Sequence, residues 1–149
     1  IKKILDFGCG TGRFTYDLKK LFNCYIEGVD TSKYLISLCK KTPNTKFFTL
    51  DKNYSQICNK YDLIFICHVL NGISDEEVSK ISKILTNCLN KNGYLFIVEI
   101  TGKNNIAGSW QTRTVDQIKS FFLEIKLDEI SKYIDIDNEV TIFLGQNNT

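Results

Sequence analysis

Three glycines at alternate positions, Gly8, Gly10 and Gly12, follow an apolar run that ends in Asp6 and Phe7. Glycine weakens helices and strands, so this spacing asks for a reason: a sharp backbone turn, or a surface that something can lie against without a Cβ in the way. Arg13 closes the stretch as one of 2 arginines beside 17 lysines, and its planar fork suits a carboxylate. Asp30 stands 22 residues beyond Gly8 at the end of a second apolar run. An acid there can accept hydrogen bonds from both hydroxyls of a ribose. The single histidine, His68, ends a fourth apolar run and is the side chain best suited to take up a proton near neutral pH. The combination reads as a loop for a nucleotide-like ligand, with an acid for its sugar.

Spacing narrows the ligand. The dinucleotide fingerprint G-x-G-x-x-G needs a glycine at position 13, which is Arg, and a P-loop needs a G-K-[ST] that does not follow. Asp6, just before the glycines, suits a ligand with an ammonium or sulfonium centre better than a pyrophosphate.

The elements that would position these residues follow from periodicity. Residues 3–7, 24–30, 46–50, 61–67 and 94–100 read as buried strands. Between them, Phe14, Leu18 and Leu21 mark a helix behind Gly12, and Leu35, Leu38 and Cys39 a second one stopped near Pro43. Ser74 and Glu77 form a capping box before a long apolar stripe from Val78 to Leu89, with Asn92–Gly93 ending that helix. After a polar loop, Thr114 and Gln117 repeat the capping signal. Two closing strands, about 125–134 and 139–145, are joined by "DIDN" and must run antiparallel. Strands alternating with helices predict an α/β fold: a Rossmann-like three-layer sandwich with a seven-stranded, mostly parallel sheet and an antiparallel C-terminal strand.

At 149 residues with 43% apolar and 24% charged residues, the chain has the size and composition of one globular domain. The net charge of +2, with lysines scattered, offers no basic face for a phosphate backbone, so nucleic acid is unsupported as a partner. No apolar run is long enough to cross a bilayer. Six cysteines without short paired spacings read as reduced thiols, which predicts a cytoplasmic location.

"ILDFGCGTGRF", "IEGVDTSKYL", "FFTLD", "YDLIFICHVLNGISDEE" and "LNKNGYLFIVE" together resemble the class I S-adenosylmethionine-dependent methyltransferases over nearly the whole chain. The resemblance implies S-adenosyl-L-methionine as cofactor. Asp6, Gly8, Cys9, Gly10, Thr11, Gly12 and Arg13 would line its methionine end, Asp30 would bind the ribose, and Thr31 and Asp51 would border the adenine. Cys67 and His68 would lie near the methyl group, His68 as the catalytic base. Trp110 and Arg113, in the polar loop after the fifth strand, are candidates for the substrate wall. The implied reaction is methyl transfer to an oxygen or nitrogen of a small molecule or a protein N-terminus. The turn "CHVLN" lacks the N-P-P-[YF] pattern of enzymes that methylate nucleobase amines. Family members carry an N-terminal lid, which an upstream segment or a partner chain would supply here. The alternative is a non-catalytic methyltransferase-like scaffold domain of a larger protein or complex.

Overall fold

A computed structural model describes residues 1–103 and 105–149. The main sheet has seven strands: β1 (Lys3–Phe7), β2 (Tyr25–Asp30), β3 (Thr45–Thr49), β4 (Tyr61–Cys67), β5 (Leu89–Ile100), β8 (Leu127–Asp135) and β9 (Asn138–Gln146). Their order across the sheet is β3-β2-β1-β4-β5-β9-β8. The first five pair in parallel, and β9 runs antiparallel to both β5 and β8. The turn between β8 and β9 is the two residues Ile136 and Asp137, both at positive φ, the backbone that matches a hairpin's twist.

Alternation along β1 decides what each face sees. Leu5 and Phe7 join the larger core with Val78, Ile81 and Leu85 of α3 (Asp75–Cys88) and Ile118 of α4 (Val115–Ser120). Ile4 turns to the other face, under Leu18 and Phe22 of α1 (Arg13–Phe22). Strand β4 lies in the middle with apolar residues on both faces, which is why it reads as a continuous run rather than an alternating one.

The structure departs from the sequence expectation at four places. Helix α2 covers only Lys33–Ser37, one and a half turns that begin at the Ser32 cap. Helix α3 ends at Cys88, because Leu89 already pairs with Tyr61; the register then jumps so that Leu63 faces Tyr94, and residues 90–93 bulge. At the start of α3 only half the capping box forms: Ser74 Oγ accepts from Glu77 N, while the Glu77 carboxylate accepts from the Tyr54 hydroxyl. The polar loop carries a small hairpin, β6 (Asn105–Ala107) with β7 (Trp110–Thr112); residue 104 of that loop lies outside the described residues. The capping box of Thr114 and Gln117 forms in full.

Candidate active site

The chain order of the sheet reverses between β1 and β4, and a ligand cleft belongs beyond the carboxyl ends of those two strands. A cleft of about 270 Å³ opens there, lined by Phe7, Gly8, Asp30, Thr31, Leu50 and Tyr54 on one side and by His68, Val69, Gly72 and Ile73 on the other. Ile81 of α3 closes its floor. Its volume falls near the lower end of the range for small-molecule sites.

The glycine loop forms the near rim. Gly8 has φ +75, and a Cβ on it would come within 2.3 Å of a Val69 methyl, so only glycine lets the loop and the turn after β4 meet. Gly10 has φ +56, and a Cβ there would meet nothing within 4 Å. That position faces open space, which leaves the backbone accessible to a ligand. Gly12 caps α1 in the left-handed conformation.

Asp30 ties the rim together. One carboxylate oxygen accepts from Gly10 N at 2.9 Å and the other from Ser32 N at 2.8 Å. Each oxygen keeps a lone pair for a further donor, so the group can still take two hydroxyls of a sugar. Thr31 stands beside it on the cleft wall. Thr11 is exposed on the loop, and Cys9 is half-buried with its thiol donating to the Gly10 carbonyl at 3.7 Å. Burial pushes the Cys9 thiol well above its ordinary value, aided by Asp6, so it is a packing group and not a nucleophile. Arg13 is exposed, with its guanidinium stacked 4.4 Å over the Phe14 ring.

Three expected contacts come out differently. Asp6 is 2% exposed and accepts the Thr15 hydroxyl, so it bolts α1 to the sheet on the face opposite Phe7. Burial raises its carboxyl to about 6, the Thr15 hydrogen bond opposes this and Asp30 adds to it. Asp51 points into its own turn, where its carboxylate accepts from Asn53 N at 2.9 Å and Ser55 N at 3.0 Å, and also from the Ser55 hydroxyl. Those bonds hold it down at about 2. The adjoining cleft wall is Leu50 and Tyr54. Arg113 is fully buried, which corrects the expectation that it touches substrate. Its guanidinium donates to the carbonyls of Leu70 at 2.6 Å and Ile73 at 2.7 Å and to Asp75 at 2.8 Å. It therefore holds the turn that carries the far wall of the cleft.

Glu99 is the residue the sequence reading missed. It is 0% exposed, and one oxygen accepts from Leu70 N at 2.8 Å and Asn71 N at 3.4 Å, while the other faces His68 Nδ1 at 3.7 Å. Asn71 adds a bond from Nδ2 to the Ile100 carbonyl at 2.7 Å. Glu99 and Arg113 thus satisfy the N–H and the C=O of the same residue, Leu70, in the single 3₁₀ turn Leu70–Gly72. A carboxylate in the middle of "FIVEI" could have signalled this role, because a buried acid must find donors.

His68 lies at positive φ (+54), where only a fixed surrounding holds a non-glycine residue, and its N–H donates to the Val98 carbonyl at 2.9 Å. Glu99 raises the imidazole above its ordinary value; partial burial and Arg13 oppose, and Asp135 adds to the rise. Cys67 beside it is half-buried, its thiol pushed up to about 11 by burial and then by Glu99. Trp110, 36% exposed on β7, stands over the Gly72 edge of the cleft, 3.8 Å from where a Cβ of Gly72 would sit.

Removing the Arg113 guanidinium should leave the part-buried Ile73 carbonyl without this donor and the buried Leu70 carbonyl with only its bond from Ile73 N at 3.2 Å, and each lost bond from the charged donor is worth about 1.5–3 kcal/mol. Asp75 is largely exposed, so loss of that ion pair adds little. Arg113→Met is therefore expected to lower stability by about 2–5 kcal/mol in a denaturant titration. An unchanged midpoint would show that Arg113 does not hold the turn.

The sequence pattern of the methyltransferase-domain family matches residues 4–93, well over half of the chain. The chain belongs to the S-adenosylmethionine-dependent methyltransferases. A phosphoethanolamine N-methyltransferase of Zea mays is 33% identical over 105 residues, 66% of this chain and 21% of its own length. A malonyl-[acyl-carrier protein] O-methyltransferase of Ilyobacter polytropus is 29% identical over 136 residues, 87% of this chain and 50% of its own. This domain spans between about a fifth and a half of the length of these curated relatives. Among solved structures, the YcgJ protein of Bacillus subtilis superposes with a TM-score of 0.84 at 13% identity, over 99% of this chain and 92% of its own. The N-methyltransferase NodS of Bradyrhizobium japonicum, in complex with S-adenosyl-L-homocysteine, superposes with a TM-score of 0.80 at 17% identity, over 99% and 79% of the two chains. Those identities speak for the fold, which is that of the class I methyltransferases. The methyltransferase cofactor is S-adenosylmethionine, and the accessible backbone at Gly10 with the Asp30 carboxylate bonded to its N–H fits that molecule.

Proposed function

We propose that this domain transfers a methyl group from S-adenosylmethionine to an oxygen or nitrogen of a small molecule. The observation that carries the reading is the cleft itself, which joins the glycine loop and Asp30 at one wall to His68 at the other. When bound, the cofactor supplies an electrophilic methyl on a sulfonium, and transfer leaves the neutral thioether. Gly8 and Gly10 would give it a backbone surface, Gly12 being packed against Phe47 and Tyr16; Asp30 would take its ribose hydroxyls, and Leu50 and Tyr54 would flank its base. Displacement at carbon depends on alignment and on a dry nucleophile, and Phe7, Val69, Ile73 and Ile81 give the cleft apolar walls that would keep the meeting point dry once its open side is covered. Trp110 at the rim gives the acceptor a flat apolar face.

A small acceptor fits a chain of net charge +2 without a clustered basic face. The names of the Zea mays and Ilyobacter polytropus relatives point the same way, toward an amine or a carboxyl oxygen as nucleophile. All six cysteines are free thiols, which suits a reducing, cytoplasmic compartment. No helix among the described residues is long and apolar enough to cross a membrane. An upstream segment or a partner chain is proposed to cover the open side of the cleft.

Calorimetric titration tests the cofactor half of the reading. S-Adenosylhomocysteine should bind at micromolar strength and NAD should not. Asp30→Ala should weaken the former by about 1.5–3 kcal/mol, the range for hydrogen bonds to a charged group. Absence of saturable heat in the parent protein would sink the catalytic reading and favour a scaffold.

A further inference from the structure

We propose that Glu99 is a positioning residue that fixes the tautomer of His68, keeping the proton on Nδ1 and presenting Nε2 with its lone pair to the methyl acceptor. The proposal rests on the methyl-transfer reading above and names the group that receives the acceptor's proton.

Geometry forces the choice of tautomer. Nδ1 is buried and has no hydrogen-bond partner, while the side chain as a whole is 33% exposed and lines the cleft. The accessible edge of the ring is therefore the one that carries Nε2. The atom that faces Nδ1 is a carboxylate oxygen of Glu99 at 3.7 Å, an electrostatic contact just beyond hydrogen-bond length. A lone pair on Nδ1 would repel that oxygen, whereas a proton is attracted to it. The backbone that carries the ring is fixed, at positive φ and with its N–H bonded to the Val98 carbonyl. Glu99 cannot turn away, since its other oxygen is held by Leu70 N and Asn71 N and the ring-facing oxygen also accepts from Ile100 N at 3.1 Å. The charged groups around the ring are Glu99 on β5, Asp135 at the end of β8 and Arg13 on α1, with Cys67 the preceding residue on β4. The two acids outweigh the arginine, so a proton arriving at Nε2 is stabilised where it lands.

The proton balance is complete with groups already named. The acceptor's X–H bond breaks, its electron pair forms the bond to the methyl carbon, and the pair of the old C–S bond stays with sulfur. The proton goes to Nε2, so the positive charge lost by the sulfonium reappears on an imidazolium beside Glu99. No further reactant is needed.

The chain has one histidine, so its imidazole signals in ¹⁵N-edited NMR need no assignment. In the parent protein at high pH, Nδ1 should carry the proton and Nε2 should show the shift of an unprotonated nitrogen. The titration midpoint should lie above the histidine reference of about 6.5. Glu99→Gln separates positioning from simple support. Its amide oxygen can still accept from Leu70 and Asn71, while its NH₂ group would give up the bond from Ile100 N, face Nδ1 and donate to it. The tautomer should therefore reverse to Nε2–H, and the midpoint should fall. A parent protein with the proton on Nε2 overturns the proposal without any variant. So does a Glu99→Gln protein that folds yet keeps the parent's tautomer and midpoint. S-Adenosylhomocysteine titration of both proteins runs beside the NMR. If the product binds and the tautomer is wrong, Glu99 is refuted and the cofactor reading stands; if the parent does not bind it, the cofactor reading fails while the NMR still decides the dyad.

Discussion

Gly10→Val should abolish binding of S-adenosylhomocysteine while leaving the domain folded. The backbone at Gly10 has φ +56, a conformation that a β-branched residue adopts only under strain of about 1–3 kcal/mol. The loop is at the surface, and a Cβ there would touch no protein atom within 4 Å, so nothing in the core is displaced. The branched side chain would instead stand in the space reserved for a ligand. It would also disturb the bond from Gly10 N to Asp30, so two parts of the rim fail together. A loss of about 10²-fold or more in affinity corresponds to roughly 3 kcal/mol, within reach of a steric block plus one lost charge-assisted hydrogen bond. Circular dichroism and calorimetry on the same samples check it. Normal binding by the valine variant would mean that the loop is only a turn.

What the sequence could disclose follows from how local each signal is. The loop from Gly8 to Gly12 and the acid at position 30 were legible because their geometry is written in neighbouring residues: strand, glycines, helix, then an acid at the next strand end. The hydrophobic periods located the main strands, and the DIDN turn located the final hairpin. The roles of Asp6 and Asp51 were misread because a carboxylate near a site satisfies the nearest donors first. Thr15 stands on the first helix and Ser55 in the next turn, and both lie within hydrogen-bond reach. Arg113 looked like a substrate residue because it falls in a polar loop on the binding edge. Its burial depends on pairing with Leu70 and Ile73, some forty positions earlier, and no period or motif announces that. Glu99 was hidden for a related reason. In sequence it is one residue of a strand, and only the sheet order that sets β5 beside β4 brings it under His68. The residues of the far wall are thus legible in type, while their division into cleft-lining and supporting groups is a property of the tertiary structure.

That division governs the second large effect. His68→Ala should lower turnover by about 10²–10⁴ with any acceptor the protein methylates, while affinity for S-adenosylhomocysteine changes little. The working form of a base is the neutral imidazole, so the parent's rate should fall as pH drops through the histidine pKa. Glu99 raises that pKa, with Asp135 in support and Arg13 opposed, so the acid limb should lie above the reference of about 6.5. The stability consequence has the opposite sense. A histidine whose folded-state pKa is raised contributes stability that is fully present below its unfolded value and is lost as pH rises through the folded one. The catalytic form is therefore the less stable form, and thermal melts of the parent should decline over the pH window in which turnover rises. The alanine variant should lose both slopes above about pH 6.5, keeping only the decline that buried Asp6, raised to about 6, imposes at lower pH. Turnover and melting temperature against pH, for both proteins, measure this directly. A modest loss in the variant, with no histidine-like ionisation in the parent, would assign the rate to alignment and desolvation in the apolar cleft and leave His68 as one of its walls.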